Sequence, residues 1–232
     1  MSKNSTFTIK YSHSSGSVSP SVVIIPDKFT KSKHIPVDQP LYLKFGTHRA
    51  QIQCKAKKTK HAVIALPADL ARSWNIPNGF RFRVAYHSAD RTLRLGPLIG
   101  VIVNRSYDSA ERRFGSNTTF YKELADTCQL RGGMAFFFSQ EDIRPKKNTL
   151  KGWTYVRGWK KTTFPLPDVI YNRVSTRKIE QNAIVKAFFN QMNSFQIPIF
   201  NEKFLDKNEV FDALQKDVTL HPYLPESHLL RN

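Results

Sequence analysis

The sequence predicts a mixed α+β / α/β chain: a small N-terminal β-barrel with pseudo-twofold symmetry, followed by a Rossmann-like α/β unit. Three observations carry this. Apolar blocks recur at one ungapped offset of 41 residues: Val22-Val-Ile-Ile-Pro26 with Val63-Ile-Ala-Leu-Pro67, Ile35-Pro36 with Ile76-Pro77, Leu41-Tyr-Leu43 with Phe82-Arg-Val84, and Ile52 with Leu93. Two continuous apolar runs, Leu95–Val103 and Met134–Phe138, have the composition of parallel strands covered on both faces. Between and after them lie amphipathic helical patterns, so strands and helices alternate as in a doubly wound sheet.

Residues 1–20 are rich in serine and are expected to be a flexible leader. Residues 21–95 hold the repeat. Each copy reads as a strand, a proline, a short helix (27–33 and 68–74), Ile-Pro, and two alternating strands. One copy cannot cover both faces of its strands, but two related by a pseudo-twofold axis can close on each other. The pattern is similar to double-psi β-barrels and to the swapped-hairpin barrels of AbrB-type DNA-binding proteins.

Residues 96–232 form the α/β unit. Asn117 is placed to cap a helix whose apolar face is expected to carry Phe120, Leu124 and Cys128, and Gly132-Gly133 ends it. Trp153–Val156 and Lys160–Phe164 read as a hairpin turning near Arg157-Gly158. Pro165 and Pro167 keep the next approach extended, and Val169-Ile-Tyr171 forms a short strand. Ser175 is placed to cap the following helix, whose stripe is Ile184, Val185, Phe188, Phe189 and Met192. Ile197–Phe200 reads as a further strand. Asp206 to Glu209 reads as a capping box for a last helix with Val210, Phe211 and Leu214 inward.

A formal charge of +18 favours polyanionic partners. Lys55, Lys57, Lys58 and Lys60 form a basic connector that could track a phosphate backbone, with a solvated linker as the competing reading. Tyr42, Phe45, Phe80, Phe82 and Tyr86 fit barrel core or base-stacking surfaces, and Trp153 and Trp159 fit sheet packing or a stacking platform. Cys54 and Cys128 lack metal-ligand or redox spacing and read as reduced thiols of a cytoplasmic protein. No apolar run is long enough to span a bilayer. No Walker loop, GxSxG, HExxH or DxD motif is present, and the seven histidines are scattered.

Ligands of open α/β sheets bind beyond the carboxyl ends of the strands. That rule singles out Asp168, Asn172, Arg173, Arg177 and Glu180, with Arg173 and Arg177 four residues apart and able to share one anion. Structural ion pairing among Asp168, Arg173 and Glu180 is the alternative. The acidic and basic loop Arg105–Gly115 also follows a strand, as a ligand-holding or mobile segment.

The blocks Leu95-Gly-Pro-Leu-Ile-Gly100, Pro165-Leu-Pro-Asp-Val-Ile-Tyr-Asn-Arg173, Phe200-Asn201, Phe204 to Lys207 and Leu224-Pro-Glu-Ser227 together resemble the YheC/YheD family. Its members are endospore coat-associated ATP-grasp proteins, and the resemblance covers roughly residues 60–230. It implies a pre-ATP-grasp α/β domain that receives the acceptor substrate, with Asn201 and Lys207 joining Asp168, Asn172, Arg173 and Arg177 as binding residues. It also implies ATP and Mg²⁺ in full-length members, held by lobes whose Lys-Pro strand, glycine-rich loop and acidic metal motif are not found here. The expectation is a truncated, substrate-side module, inactive and without cofactor when alone, working with a separately encoded ATP-grasp half or with spore-coat proteins. Its location is expected to be cytoplasmic or at the spore coat.

Overall fold

A computed structural model describes residues 5–12, 21–109, 111–144, 147–202 and 207–226; for 207–209 it gives the backbone only. It is a mixed α+β structure with two sheets.

The first sheet holds β1 (Ser5–Ser12), β2 (Ser21–Pro26), β3 (Pro40–Phe45), β4 (His48–Lys57), β5 (Val63–Pro67), β6 (Arg81–His87) and β7 (Thr92–Leu95). Its order, β1-β5-β2-β4-β3-β7-β6, returns on itself because β1 pairs with both β5 and β6. Short helices α1 (Asp27–Lys33) and α2 (Ala68–Ser73) follow β2 and β5, as the repeat requires. Alternation drives the closure: Leu41, Leu43, Phe45, Ile52, Cys54, Ile64, Leu66 and Phe82 are all at most 1% exposed, while their neighbours face outward. Each such side chain contributes about 1.5–3 kcal/mol by leaving water.

Residues 5–12 are therefore a barrel strand and not part of a leader. Residues 1–4 and 13–20 lie outside the described part. In the first copy, Leu41 pairs with Ile52 and Val23 with Cys54, both on the long strand β4. In the second, the equivalents Phe82 and Ile64 pair with Phe7 and Ile9 of β1. Val84 meets both Leu95 and Ser5. The strand that is continuous in copy one is thus split in copy two, its first half supplied by β7 and its second by β1. This corrects the expected match of Ile52 with Leu93. Leu93 faces Tyr86 as His48 faces Phe45, because the second hairpin has a longer turn.

The second sheet has the order β11-β10-β9-β8-β12-β13: β8 (Leu98–Ile102), β9 (Met134–Phe138), β10 (Thr149–Tyr155), β11 (Trp159–Pro165), β12 (Val169–Asn172) and β13 (Ile199–Phe200). Strands β9, β8, β12 and β13 are parallel, and β10–β11 is an antiparallel hairpin. Helix α3 (Thr118–Leu130) packs Tyr121 and Ala125 on Val101 and Phe137 of one face. Helix α5 (Ala183–Ser194) packs Val185, Phe188 and Met192 on the other, where Phe188 meets Phe138 edge-on at 5.5 Å. Leu124 and Cys128 of the expected face of α3 pack against the cluster of Val101 and Phe137, but Phe120 is 41% exposed and Tyr121 is buried in its place. Trp153 and Trp159 pack, partly buried, against the α3-side cluster.

Helix α4 (Arg177–Glu180) has Thr176 at its N-cap position and no side-chain cap, so Ser175 does not cap it as expected. Helix α6 (Lys207–Gln215) leaves Leu214 38% exposed, against the expected inward stripe, and a 3-10 turn at Val218–Tyr223 follows. Residues 203–206, with Phe204 and Asp206 of the expected motif and capping box, lie outside the described part, as does Ser227.

One apolar cluster runs through both sheets, joining Phe45 and Phe82 to Phe136, Phe164 and Leu166. Two close backbone approaches fix this junction. Thr47 N donates to Leu166 O at 2.9 Å beside Gly46, and Arg83 N donates to Gly132 O at 2.7 Å. Gly132 has φ +79°, and a Cβ there would lie 2.6 Å from Arg83 N. Among the described residues no helix is long and apolar enough to cross a membrane.

Candidate functional site

From β8 the chain crosses through α3 to β9 on one side, and later enters β12 on the other side of β8. Adjacent connections therefore diverge between β8 and β12. A crevice opens there at the carboxyl ends of the strands, as expected for an open α/β sheet. Its volume is about 350 Å³, and its walls include Asn104, Arg105, Tyr107, Ser116, Asn117, Tyr121, Arg173 and Ser175.

Two loops form the rim. Asn104 and Ser175, 71 residues apart, bond reciprocally: Asn104 Nδ2 donates to Ser175 Oγ at 2.5 Å, and Ser175 N donates to Asn104 Oδ1 at 2.8 Å. The loop after β8 is pinned by Arg113, which is 7% exposed. Its Nη1 donates to Tyr107 O at 2.6 Å, it lies 3.5 Å from Asp108, and its guanidinium sits 3.8 Å above the Trp153 ring. Arg105 Nε donates to the Tyr107 hydroxyl at 2.5 Å.

Arg173 continues the β12 ladder by donating N–H to Ile102 O at 2.9 Å. Its guanidinium lies 5.1 Å from the centre of the Phe120 ring and 5.7 Å from that of Tyr171. Burial pushes the Tyr121 hydroxyl up from its usual range, and the neighbouring Arg173, hydrogen-bonded to it, opposes that shift. Tyr121 thus stays a neutral donor. Arg173 Nε is buried without an acceptor. Among the described residues the lining has two guanidinium groups and no carboxylate. Residues Ser116 and Asn117 bring the start of α3 to the wall, and no side chain caps that helix. The arrangement favours an anion over a cation.

Asn172, 2% exposed, holds the floor: its Oδ1 accepts from Val174 N at 3.1 Å, and its carbonyl accepts from Asn201 Nδ2 at 3.0 Å. Asn172, Arg173 and Asn201 therefore share one end of the sheet. Asp168 does not. It precedes β12, about 13 Å of strand away from the crevice, where its Oδ2 accepts from Leu98 N at 2.8 Å. Burial raises its pKa, against the pull of that hydrogen bond and of Lys44 and Arg94. Arg177 is exposed at the start of α4 and does not line the crevice. Residues 173–176 are not helical, so the four-residue spacing does not put Arg173 and Arg177 on one helix face. Glu180 ends the same short helix. Lys207 begins α6, but its side chain lies outside the description. Lys55, Lys57, Lys58 and Lys60 are all exposed, and Lys58, Thr59 and Lys60 line a shallow depression with Asp27 and Lys28.

Sequence reasoning missed Asn104, Ser116, Asn117 and Tyr121 as crevice residues, and Arg105 and Tyr107 entered only through their loop. For Asn104 a signal was available, since it follows a buried parallel strand as directly as Arg173 does.

No family model matches the chain, and no solved structure matches it. The endospore coat-associated protein YheD of Bacillus subtilis (strain 168) is 30% identical over 194 residues, which are 83% of this chain and 42% of that protein. The chain therefore spans less than half the length of this relative. The alignment and the blocks that carry the resemblance agree on one assignment: this chain belongs to the YheC/YheD family.

Proposed function

We propose that this chain is the substrate-side module of an ATP-grasp-type carboxylate–amine ligation, with the crevice between β8 and β12 receiving the anionic end of a substrate. The carrying observation is that crevice itself: two guanidinium groups, a neutral tyrosine and a helix start at the switch point of a parallel sheet, with no carboxylate on the wall among the described residues. On this reading the barrel is of the double-psi type and the second sheet is a Rossmann-like pre-ATP-grasp domain. Arg173 and Arg105 bind and orient a carboxylate or phosphate, Tyr121 donates to it, and Asn172 and Asn201 keep the strand ends in place. ATP and Mg²⁺ would act through ATP-grasp lobes, in one polypeptide or in a separate chain. Among the described residues no three His, Cys, Asp or Glu side chains converge as a metal site needs, so no nucleotide step is assigned to them. Association with the spore coat is carried over from the relative's name.

The test is a titration of the full chain with short carboxylates and inorganic phosphate, read by backbone amide shifts. Shifts should centre on 104–107, 115–121 and 172–175. Arg173→Gln should weaken binding roughly ten- to a hundredfold, the worth of one charge-assisted hydrogen bond. Shifts confined to other surfaces, or an affinity untouched by Arg173→Gln, would refute the assignment.

A second reading rests on the exposure of Lys55, Lys57, Lys58 and Lys60 beside Lys28: the barrel binds a polyanion such as nucleic acid. It requires a steep salt dependence with DNA, reduced by roughly one in log–log slope for each lysine removed. A flat salt response removes it.

A further inference from the structure

Strands β3, β7 and β6 lie side by side on the barrel. Leu43, Leu93, Leu95 and Val84 face its core. The residues between them, Lys44, Arg94, Arg83 and Ala85, therefore face outward. Register sets Lys44 opposite Arg94, and Arg94 opposite Ala85. Like charges directly opposite each other on paired strands repel. Here they do not simply fan into solvent. Gly96, Pro97 and Asp168 join them around a cavity of about 180 Å³ at the junction of the two sheets.

Three cations and one carboxylate line that cavity. Asp168 Oδ2 is occupied by Leu98 N at 2.8 Å, and Asp90 engages Arg94 Nη2 at 3.1 Å. The Nε groups of both Arg83 and Arg94 are buried without an acceptor. The backbone around Arg83 is fixed on two sides, by Gly132 O accepting its N–H at 2.7 Å and by Gly96 N donating to its carbonyl at 3.1 Å. Gly96 has φ +129°, and a Cβ there would lie 2.8 Å from Leu98 N. The backbone that carries Arg83 is thus held in place by the fold.

We propose that this cavity binds a small oxyanion, a phosphoryl or carboxylate group, between Lys44, Arg83 and Arg94. An oxyanion accepts from both orphaned Nε–H groups and adds counter-charge to three cations that have only Asp168 and Asp90 beside them. The volume is below the range of about 300–1,000 Å³ of drug-sized ligand sites. It suits phosphate, a short phosphomonoester or a short dicarboxylate. The cavity shares no lining residue with the crevice at Arg173. Because it lies where the barrel meets the second sheet, the anion stabilises that junction by mass action.

The experiment uses the full chain, in wild-type form and with Arg173→Gln to silence the crevice. Thermal unfolding and calorimetric titration are run in inorganic phosphate, in succinate, and in chloride at equal ionic strength. Saturable stabilisation by phosphate or succinate over chloride is expected in both backgrounds. Lys44→Met or Arg94→Gln should weaken it at least about tenfold, the loss of one charge-assisted contact. In chloride, Lys44→Met should unfold close to the wild-type temperature, because its repulsion from Arg94 and its attraction to Asp168 are lost together. In the binding anion it should unfold below it. Preference between phosphate and succinate identifies the group recognised. The proposal is overturned if neither anion stabilises more than chloride, if the effect survives both substitutions, or if Lys44→Met lowers the unfolding temperature equally in every anion.

Discussion

Substituting Gly132 by alanine tests how the barrel is joined to the second sheet. Its φ of +79° costs an L-residue about 1–2 kcal/mol. A Cβ would also lie 2.6 Å from Arg83 N, 3.2 Å from Arg83 Cα and 3.1 Å from Arg83 Cβ. Two of those atoms are backbone and cannot rotate away, so relief requires the barrel strand and the end of α3 to separate. Overpacking of this kind costs about 1–3 kcal/mol more. The internal control is Gly79, whose φ is +86° but whose Cβ would meet nothing within 4 Å. Gly79→Ala should therefore cost only the conformational part. Equilibrium denaturation of both variants should give a loss of about 2–5 kcal/mol for Gly132→Ala, or a drop of roughly 4–20 °C in Tm for a chain of this size. Gly79→Ala should lose about 1–2 kcal/mol. Amide exchange at Arg83 should accelerate only in the first. Equal losses in the two variants would show that the contact with Arg83 contributes nothing.

Two further outcomes follow from buried titratable groups. Burial lowers the pKa of His48, whose Nδ1 has no hydrogen-bond partner and whose ring lies 5.6 Å from Trp74. The unfolded chain then binds the proton more readily than the folded one. Stability should rise with pH through the ordinary histidine range near 6.5 and level off above it. In a pH series of urea melts, His48→Gln should flatten that rise, and an unchanged slope counts against a buried neutral imidazole. Cys54, at 0% exposure, has its thiol pushed up to about 12. Alkylation of Cys54 at neutral pH should therefore require unfolding, with a rate that follows denaturant. Rapid labelling of the native chain at that residue would contradict its place in the core.

The repeat was legible because the pleat writes core positions as alternating residues, and both copies keep that alternation at one offset. Its final member was not. Ser5–Ser12 carries Phe7 and Ile9 at alternate positions, but polar and serine-rich neighbours hide the pattern, and its partners lie more than fifty residues downstream. The equivalence of Ile52 and Leu93 failed because an alignment without gaps cannot register a longer hairpin turn. The strand-end rule placed Asn172 and Arg173 at the carboxyl end of the parallel sheet, and the family resemblance added Asn201. Asp168 was grouped with Arg173 because they are close in sequence, yet a strand carries its two ends apart. The reciprocal bond of Asn104 with Ser175 joins loops 71 residues apart, and nothing local to either announces it.

The divided strand of the second barrel copy has a consequence for the order of assembly. During synthesis β1 emerges first, but its partners β5 and β6 appear only after Val63 and Arg81 have left the ribosome. Until then Phe7 and Ile9 belong to an unpaired ribbon, while the first copy's own hairpin can already zip. The nascent chain thus holds its seam open for most of the barrel's length, and closure joins the barrel's first strand to its sixth.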